Sequence, residues 1–582
     1  MKTITLLVLL TATTVVMAQP DNRYCGAGDV PRFGAERDGP AALPTRCINT
    51  ALASTPSPGK VIRVSGRTDV EAALLQAACG DTILLQAGAT FVPFRLPAKH
   101  CDAGHWITVR TSAPDSDLAP EGTHITPCYA GVSFLPARPR YSCSSPKNVL
   151  AKVELKTGAG AITVSAGANH YRLIGLEVTR TPGTGIVYGL IRFEDGVDHI
   201  VIDRSWVHGS PLDETARGVY LGGSTYVGVV DSYFSDFHCI AITGTCTDAQ
   251  AINGGNSTVP VGVYKIVGNY LEAAAENVLF GGAGGSRIPG DIEIRRNHMF
   301  KPLTWMPSQP DFIGKKFIVK NIFELKNAER VLFEGNVLEN TWGGFSQVGY
   351  SILLTPRGSW AAVQDVTIRY NRISHMGSGM QLAASKAGSD DSLAAQRWSI
   401  HDDILEDVNP SVYNGDGIVF QISSHFSSNT PLNNISLDHV TVVTKSPLKN
   451  LMVIGVVPAN SRLPFNIAFT NNVVPAGKYS VWSIGVGNCA KSGEPFTTFK
   501  NCWSPFKVTN NVIVDYPRNQ GPWPPGNFLV NDLRTVGFVN RDQEEGGDYR
   551  LPSASPYKGK GTDSKDVGAD VDLIKAATLG VR

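Results

Sequence analysis

The sequence has little imbalance of charge and few charged residues. Its 582 residues include 52 Lys and Arg against 51 Asp and Glu, and charged residues make up 18% of the chain. Proteins that bind nucleic acid or a membrane surface are typically far more basic, so neither partner is expected. After the first residues, the chain also lacks an apolar run long enough to span a bilayer.

Amphipathic helices of convincing length are also missing between the apolar segments. A βα-barrel or a doubly wound sheet needs a helical crossover between its parallel strands, so both folds are excluded. Glycine, with 59 residues, and proline, with 36, are plentiful instead. This composition favours short strands separated by bends.

What the chain has in quantity is the phrase Ile-x-x-Asn-x-Φ, in which Φ is apolar and the first residue varies among apolar types. The steps between copies are about 27 to 39 residues, which is the period of a solenoid. Copies with Ser or Asp at the Asn position fill the gaps: Val229–Phe234, Ile400–Leu405 and Ile435–Val440. The copies with Asn are Ile266–Leu271, Ile294–Met299, Phe333–Leu338, Ile368–Ile373, Phe469–Val474 and Val508–Ile513.

The residues around each Asn predict one coil of a β-solenoid. Apolar and polar residues alternate before the Asn, as in Asp291-Ile-Glu-Ile-Arg295, and this is the period of a half-buried strand. Asn tolerates a left-handed turn into the next strand, and it also forms ladders between coils. We therefore predict an all-β chain folded as a right-handed parallel β-helix, with its Asn residues serving as scaffold.

The two ends of the chain predict export and closure of the solenoid. Residues 1–18 have the pattern of a secretory signal peptide, so we expect a secreted protein, extracellular or periplasmic, and a monomer. A Pro/Gly-rich extension at 19–66 precedes a β-helix at 67–545. The helical stretch Val70–Ala78, after the capping Asp69, is predicted to cover the first coil. Residues 546–582 are predicted to be an irregular closing segment and tail.

Ten cysteines fall into pairs that are close in sequence, and no CxxC spacing or Cys/His cluster suggests a metal site. An even number of cysteines suits an oxidising compartment. Spacing alone leaves the connectivity open, but local disulfides that pin loops are the simplest interpretation. The pairs are Cys25/Cys47, Cys79/Cys101, Cys128/Cys143, Cys239/Cys246 and Cys489/Cys502.

Several motifs together resemble the pectin lyase-like superfamily of right-handed parallel β-helix proteins. They are Cys79–Phe91, Asn269–Gly282, Val319–Asn327, Ile352–Arg357 and the closing Ser555-Pro-Tyr557, and their combination resembles a secreted bacterial group. The resemblance implies polysaccharide lyases and glycoside hydrolases, and also non-enzymatic binding proteins.

The signature of pectin-depolymerising hydrolases is represented only by Asp402-Asp403. In the lyase family of alginate lyases and chondroitinase B, a Lys and an Arg on neighbouring coils act with calcium. Here Lys326 and Arg357 match that placement, whereas no calcium ligand can be assigned.

Polar residues on successive coils predict the site. Lys320, Glu324 and Lys326 are separated by even offsets, so a strand directs them to one face. Equivalent strands stack about 4.8 Å apart, so residues from neighbouring coils extend this set into a polar stripe suited to a polymer. The other members are Asp248, Gln250, Glu276, Asn277 and Arg357, with Trp305 and Trp342 in nearby loops as sugar-stacking candidates.

The leading hypothesis is a polysaccharide lyase that acts on an acidic or plant-type polymer. Lys326 would be the base, because neighbouring cations lower the pKa of a lysine. Lys320 and Arg357 would stabilise the developing negative charge. Two alternatives stay open. A glycoside hydrolase would use paired carboxylates, Asp248 with Glu276 or Glu276 with Glu324, and a non-catalytic protein would only hold the sugar.

Overall fold

A computed structural model of the chain describes residues 23–582, except 27, 32, 34, 242, 345–346, 385–391, 426–429, 458–461, 491 and 542–545. The predicted signal peptide at 1–18 lies outside the described residues. Three long parallel sheets dominate this part of the chain. Four α-helices accompany the sheets in the described residues: Val70–Gln76, Pro410–Tyr413, Pro495–Cys502 and Val571–Thr578.

Each coil contributes one strand to each sheet in turn, so neighbouring strands in a sheet are one coil apart in sequence. Sheet 1 consists of Val61–Val64, Thr82–Leu85, Ile107–Thr111, Asn169–Ile174, Val197–Asp203, Ser224–Val230, Gly262–Val267, Gly290–Arg295, Ala328–Glu334, Ala362–Arg369, Ala394–His401, Asn433–Asp438, Phe465–Thr470 and Phe506–Thr509. Sheet 2 consists of Thr90–Phe91, Ala151–Leu155, Leu176–Arg180, Trp206–His208, Tyr233–Ser235, Tyr270–Glu272, His298–Phe300, Val337–Thr341, Arg372–Met376, Ile404–Val408, Thr441–Val443, Val473–Pro475, Val512–Val514 and Phe528–Val530. Sheet 3 consists of Phe94–Leu96, Gly158–Val164, Val187–Phe193, Arg217–Tyr220, Gln250–Gly254, Glu276–Phe280, Phe323–Leu325, Tyr350–Leu354, Ser378–Ala383, Ile418–His425, Asn450–Val457 and Val481–Ser483. The predicted right-handed parallel β-helix is confirmed. A short antiparallel pair, Arg37–Asp38 with Ala41–Ala42, stands outside the coils.

The repeat phrase forms the corner between sheet 1 and sheet 2. Its first residue points inward and stacks on the same residue of the next coil, as Ile266, Ile294 and Phe333 do. The last apolar residue of the phrase points inward from sheet 2. The interior is therefore a single apolar core that runs the length of the solenoid.

The Asn residues form a buried ladder at this corner. The backbone amide of Asn297 donates to Oδ1 of Asn336 at 3.0 Å, and that of Asn336 donates to Oδ1 of Asn371 at 2.8 Å. The left-handed conformation lies one residue earlier, for example at Gly335 and Tyr370. The predicted ladder is thus present, but the predicted left-handed turn at Asn is wrong. The Asn side chain accepts a hydrogen bond from a backbone amide inside the corner, while the residue before the Asn adopts the left-handed conformation that turns the chain.

One predicted copy of the repeat is out of frame. In the phrase Ile435–Val440 the Asp occupies position 438, yet the residue that pairs with the ladder is Val440, whose amide donates to Oδ1 of Asn472 at 2.8 Å. Leu437 stacks between Ile400 and Phe469 and is the true first residue of that copy. Val440 therefore interrupts the ladder, because it has no side-chain amide.

Asp403 closes the first run of the ladder with a carboxyl in place of an amide, and we expect Asp403→Asn to stabilise the protein above pH 7. Oδ1 of Asp403 accepts from Asn371, while Oδ2 is buried without a hydrogen-bond partner. Burial raises the pKa of Asp403 to about 7. The folded state therefore holds a proton that the unfolded chain has released, and stability falls as the pH rises from about 4 to 7. Thermal melts should show a midpoint a few degrees higher for the variant at pH 8.

The pH dependence provides the control for this variant. The advantage of Asp403→Asn should shrink as the pH falls toward 4, where the wild-type carboxyl is protonated in both states. Asp117→Asn removes a carboxyl whose side chain is 43% exposed and should change neither midpoint. An equal shift for Asp403→Asn at both pH values would contradict the assignment of the raised pKa.

The predicted capping helix covers the first coil. Val70–Gln76 buries Val70, Ala73 and Leu74 against the core between the first two strands of sheet 1. The first of those strands, Val61–Val64, lies inside the stretch predicted as an extension. At the other end, helix Pro495–Cys502 and the ring of Trp503 pack on the last coils.

Two of the three outer faces are covered by chain segments. Residues 23–55 lie along sheet 1, where the amide of Ala42 donates to Asp365 Oδ1 at 3.0 Å and that of Thr45 to Asp291 Oδ1 at 2.8 Å. Residues 118–150 cover the early coils of sheet 2. The described residues between 533 and 574, which follow its last strand, cover its later coils. The predicted closing segment 546–582 thus runs back along the solenoid rather than across its end.

All five predicted local disulfides are present, from Cys25–Cys47 to Cys489–Cys502. They pin the N-terminal segment and four loops of the solenoid. None of the helices in the described part of the chain combines the length and the apolar character that crossing a bilayer requires.

Candidate functional site

The predicted polar residues meet on the outer face of sheet 3. Gln250 and Glu276 begin neighbouring strands and are register partners, and Glu324 lies on the next coil. The backbone amides of Asn277 and Val278 both donate to the carbonyl oxygen of Ile322, at 2.9 and 3.3 Å. This local bulge directs Glu276 outward although Val278 points into the core.

Acidic and basic side chains alternate across this cluster. Gln250 Nε2 donates to Glu276 Oε2 at 2.8 Å. The ammonium group of Lys320 binds the Asp248 carboxylate and lies 3.8 Å from Glu276 Oε1. Lys326 Nζ lies 3.1 Å from Glu324 Oε1. Gln250, Glu276, Lys320 and Asp248 are therefore joined by direct contacts, Lys326 and Glu324 form a second pair, and each lysine is paired with a carboxylate.

Burial and mutual repulsion raise the pKa of two carboxyls. The pKa of Glu276 is raised first by complete burial and then by the charge of Glu324, against the opposing pull of Lys320. The pKa of Asp248 is raised by burial and by Glu276. For Lys320, burial would lower the pKa, but Glu276 and Asp248 outweigh it and the pKa is raised. The carboxyls thus tend to hold protons, and Lys320 stays charged.

Exposure separates the reachable groups from the supporting ones. The side chain of Asp248 is 26% exposed and that of Lys320 is 18% exposed, whereas Glu276 is fully buried behind them. Glu324 and Lys326 are nearly buried. Solvent, and any ligand, meets Asp248 and Lys320 first.

Arg217 belongs to the cluster but was missed by the sequence reasoning. It begins the strand that precedes Gln250 in sheet 3 and is its register partner. Burial lowers its pKa, while the charges of Asp248 and Glu276 act to raise it, so it lies within reach of both. Its Nε is buried without a hydrogen-bond partner. Arg217 could have been found by moving one coil back from Gln250. It was missed because the Asn repeat lies at the corner of sheets 1 and 2 and does not mark the register of sheet 3.

Arg357 lies beside Lys326 at the following coil. Its backbone amide donates to the carbonyl oxygen of Lys326 at 3.1 Å, and its Nε is buried without a hydrogen-bond partner. The two residues therefore occupy one corner of consecutive coils, which is the placement that the sequence predicted.

Asn277 points away from the cluster. Its Nδ2 donates to the carbonyl oxygens of Leu271 and Phe300 at 2.6 and 3.1 Å, and its Oδ1 accepts from Lys301 Nζ at 3.1 Å. Lys301 also donates to the carbonyls of residues 273–275, and burial lowers its pKa to about 7. The side chain of Lys301 therefore fills the space beside residues 273–275, and Asn277 is a structural residue and not part of the polar stripe predicted from the sequence.

The two tryptophans are parts of an apolar cluster. Trp305 and Trp342 are each 2% exposed and pack with Ala274, Met306 and Phe317. Neither ring offers a face on which a sugar could stack. Their predicted role in sugar stacking is therefore wrong; it was expected from their loop positions, because loops usually lie at the surface.

The donor groups of the cluster do not fit a calcium site. The charges of Asp248 and Glu324 are already compensated by lysine ammonium groups at bonding distance, and calcium would need those oxygens free. Among the described residues, one group of three metal-ligand side chains approaches closely enough, Glu214 with Cys239 and Cys246. Those two cysteines form a disulfide, so they offer no thiolate.

Comparison with known proteins identifies neither a family nor an activity for this chain. No family model matches the chain, and no curated protein sequence matches it. Solved structures do match. An alginate lyase from Paenibacillus sp. str. FPU-7 is 14% identical over 78% of this chain and 97% of its own, with a TM-score of 0.28. The pectate lyase Pel9A is 12% identical over 89% and 97%, with a TM-score of 0.33. A GH87 alpha-1,3-glucanase is 12% identical over 82% and 69%, with a TM-score of 0.37.

Likenesses at this level bear on neither substrate nor mechanism. The assignment of the fold rests on the three parallel sheets of this chain. The right-handed parallel β-helix that the resemblance to the pectin lyase-like superfamily implied is thus present. The chain is a right-handed parallel β-helix protein with a charged cluster on one outer face.

Proposed function

We propose that this is an exported enzyme that cleaves a polysaccharide on the outer face of sheet 3, by hydrolysis with Asp248 and Glu276 as its carboxyl pair. One observation carries the proposal: both carboxyls adjoin the Lys320 ammonium, and the pKa of each is raised. Glycoside hydrolysis needs a carboxylic acid that keeps its proton near neutral pH and a second carboxylate nearby.

The exposed Asp248 is suited to donate the proton. It is the carboxyl that a bound polymer meets first, and the negative charge of Glu276 behind it favours its protonated form. Lys320 lies between the two and stabilises whichever of them is ionised. Asp248 and Glu276 thus differ in exposure. Such a difference in environment allows two carboxyls of one active site to take different catalytic roles.

The ion pairs argue against lysine as the base. The sequence favoured β-elimination over hydrolysis, and the ion pairs reverse that preference. β-Elimination with Lys326 needs a free amine, but Lys326 Nζ lies 3.1 Å from Glu324 Oε1, which favours the ammonium form. Lys320 is held as a cation in the same way. Both lysines are better placed to bind or stabilise negative charge than to remove a proton.

The charge of the cluster favours an acidic polymer. With Asp248 protonated, the three cations Arg217, Lys320 and Lys326 face two carboxylates, Glu276 and Glu324. Arg357 at the adjacent corner adds a further positive group. A uronate-containing chain is therefore preferred over a neutral one, because its carboxylates would meet this positive surplus. Five disulfides are consistent with export to an oxidising compartment.

The test is an assay on alginate, polygalacturonate, xylan and α-1,3-glucan with two readouts, new reducing ends and the ultraviolet absorbance of a conjugated double bond. Hydrolysis releases reducing ends without the absorbance, whereas elimination gives both. If a polymer binds but gives neither signal, the protein is a non-catalytic binding protein. If none of the polymers binds, the proposal is wrong altogether.

Lys326→Arg separates the two mechanisms within the same assay. Arginine keeps the positive charge beside Glu324 but cannot act as a base, because its pKa is above about 12. If hydrolysis is correct, the variant should keep activity within about tenfold of wild type, since no proton transfer depends on residue 326. A loss of about 10²–10⁴-fold with an unchanged melting midpoint would instead identify Lys326 as the base.

A further inference from the structure

A second cleft opens on the same outer face of sheet 3, nearer the C-terminal end of the solenoid. It has a volume of about 510 Å³ and is lined by residues of the last three strands of the sheet and the turns beside them. Gln421, Asn450 and Val453 come from the strands, and Tyr479 and Trp482 come from the turn and strand of the last coil. No role for this cleft followed from the sequence.

The cleft and the charged cluster lie on one continuous column of the sheet. Register partners run without a break from the cluster to the cleft: Glu324, Leu353, Gln381, Gln421, Val453 and Trp482. Five strand spacings of about 4.8 Å place Trp482 roughly 24 Å from Glu324 along the solenoid. A polymer that lies along this column over the cluster reaches the cleft after several sugar residues.

Hydrogen bonds link the coils that lie between the charged cluster and the cleft. Gln421 Oε1 accepts from the Tyr350 hydroxyl at 3.0 Å and from Gln381 Nε2 at 3.2 Å. Tyr350 also packs with Ile418 and Val453 in a small apolar cluster on this outer face. The surface between the sites is thus ordered by its own side chains.

The walls of the cleft combine aromatic faces with polar groups. The rings of Tyr479 and Trp482 lie 5.7 Å apart at 59°, and Tyr479 is 39% exposed. Ile418 and Val453 form an apolar floor, while Gln421, Lys449 and Asp416 bring polar groups to the lining. Sugar rings have apolar C–H faces and hydroxyl edges. They suit a pocket in which the negative face of an aromatic ring meets C–H groups and nearby polar groups bind hydroxyls.

We propose that this cleft is a distal sugar-binding subsite that holds a residue of the same polysaccharide chain on which the charged cluster acts. The inference rests on the proposed function, since it takes the substrate to be a polymer. The protein would then recognise a stretch of polysaccharide several sugar residues long, and one end of this stretch would stack on Tyr479 and Trp482. Short oligosaccharides can reach only one of the two sites.

Calorimetric titration with oligosaccharides of two lengths tests the subsite. The ligands are an octasaccharide and a trisaccharide of alginate and of polygalacturonate, and the protein carries Asp248→Asn so that the ligand is not cleaved. Adding Trp482→Ala should weaken octasaccharide binding about tenfold, a loss of about 1.4 kcal/mol. It should leave trisaccharide binding at the charged cluster unchanged. Phe134→Ala, at an aromatic residue that is 65% exposed and remote from sheet 3, is the matched control.

The outcomes distinguish failure of the subsite from failure of the proposed function. Octasaccharide binding unaffected by Trp482→Ala, with the melting midpoint retained, overturns the subsite. Cleavage by Asp248→Asn at the wild-type rate overturns the proposed catalytic pair but leaves the cleft standing if Trp482→Ala still weakens binding. Gel filtration showing a dimer that Trp482→Ala dissociates would reassign the cleft to a second copy of the chain. Absence of binding by every oligosaccharide overturns both proposals.

Discussion

Replacing Asp248 with asparagine is expected to lower kcat on the polymer by about 10²–10⁴-fold, the usual contribution of a general acid. Asparagine keeps the shape of the side chain and can still bond to neighbouring polar groups, but it cannot donate a carboxylic proton. Because Asp248 is partly exposed and its carboxylate pairs with Lys320 at the surface, the fold should tolerate the change. The measurement is the rate of reducing-end release, with a melting curve to confirm that the fold is intact.

Glu276→Gln provides the second half of this test, through the pH profile. The charge of Glu276 is one cause of the raised pKa of Asp248. Removing it should lower the pKa of Asp248, so the alkaline limb of the pH–rate profile should move to lower pH. Asp248→Asn in the same assay removes that limb together with the activity. Glu276→Gln should also lower the rate at every pH, because hydrolysis needs the second carboxylate. If the alkaline limb of its residual activity stays at the wild-type pH, Glu276 does not tune Asp248, and the proposed pair is wrong.

Asp203→Asn is expected to be the most destabilising single substitution considered, costing about 3–5 kcal/mol in the free energy of unfolding. Asp203 is fully buried, and its two carboxylate oxygens accept from Arg23 at 2.7 Å and from Arg172 at 2.6 Å, with Arg204 Nη2 at 3.0 Å. Burial alone would raise the pKa of Asp203, but the three arginines outweigh it and hold the pKa far below its ordinary value. The variant leaves those cations buried without their shared partner.

Denaturation by urea at pH 7 measures this loss, with Arg46→Ala as the control. Arg46 pairs with Asp291, but its side chain is 59% exposed, so its removal should cost under about 1 kcal/mol. The contribution of Asp203 is present above the ordinary carboxyl pKa and is lost as the pH falls toward its depressed folded value. The gap between wild type and Asp203→Asn should therefore narrow in acid. Equal urea midpoints for the two proteins at pH 7 would show that the arginines find other partners.

The architecture was predictable because a single phrase repeats in the coils between Val229 and Ile513. The apolar residue that opens each copy and the Asn that follows it mark one corner, so the strands of sheets 1 and 2 can be placed from the sequence. Copy 435–440 shows the limit of this signal, because Asp438 resembles a turn residue while Val440 holds the structural position. The covering segments carry no repeat. Their course over sheets 1 and 2 depends on contacts such as Arg23 with Asp231, 208 residues apart.

For the site, the sequence allowed prediction only of which residues even spacing and strand order bring together. Even offsets predicted one face for Lys320, Glu324 and Lys326, although only Glu324 lies within the strand Phe323–Leu325. Asp248 and Glu276 join them through the stacking of coils. Local irregularity limits such inference. The bulge at Asn277 and Val278 turns one polar residue inward and leaves its neighbour outward, and no spacing rule distinguishes them. Burial of tryptophans in loops and the pairing of each lysine with a carboxylate likewise depend on packing between distant segments.

The covering segments also bear on how the molecule unfolds. In a simple solenoid each coil contacts only its neighbours, so the ends fray first and stability is a sum of local terms. Here the N-terminal segment is fastened to Asp231 near its start and to His401, through Asp38, many coils away. The C-terminal end returns to bind Glu339 through Arg582. These lengthwise braces span coils that do not otherwise touch. We therefore expect the interior coils to lose their structure together, in one cooperative transition, rather than to peel away one at a time.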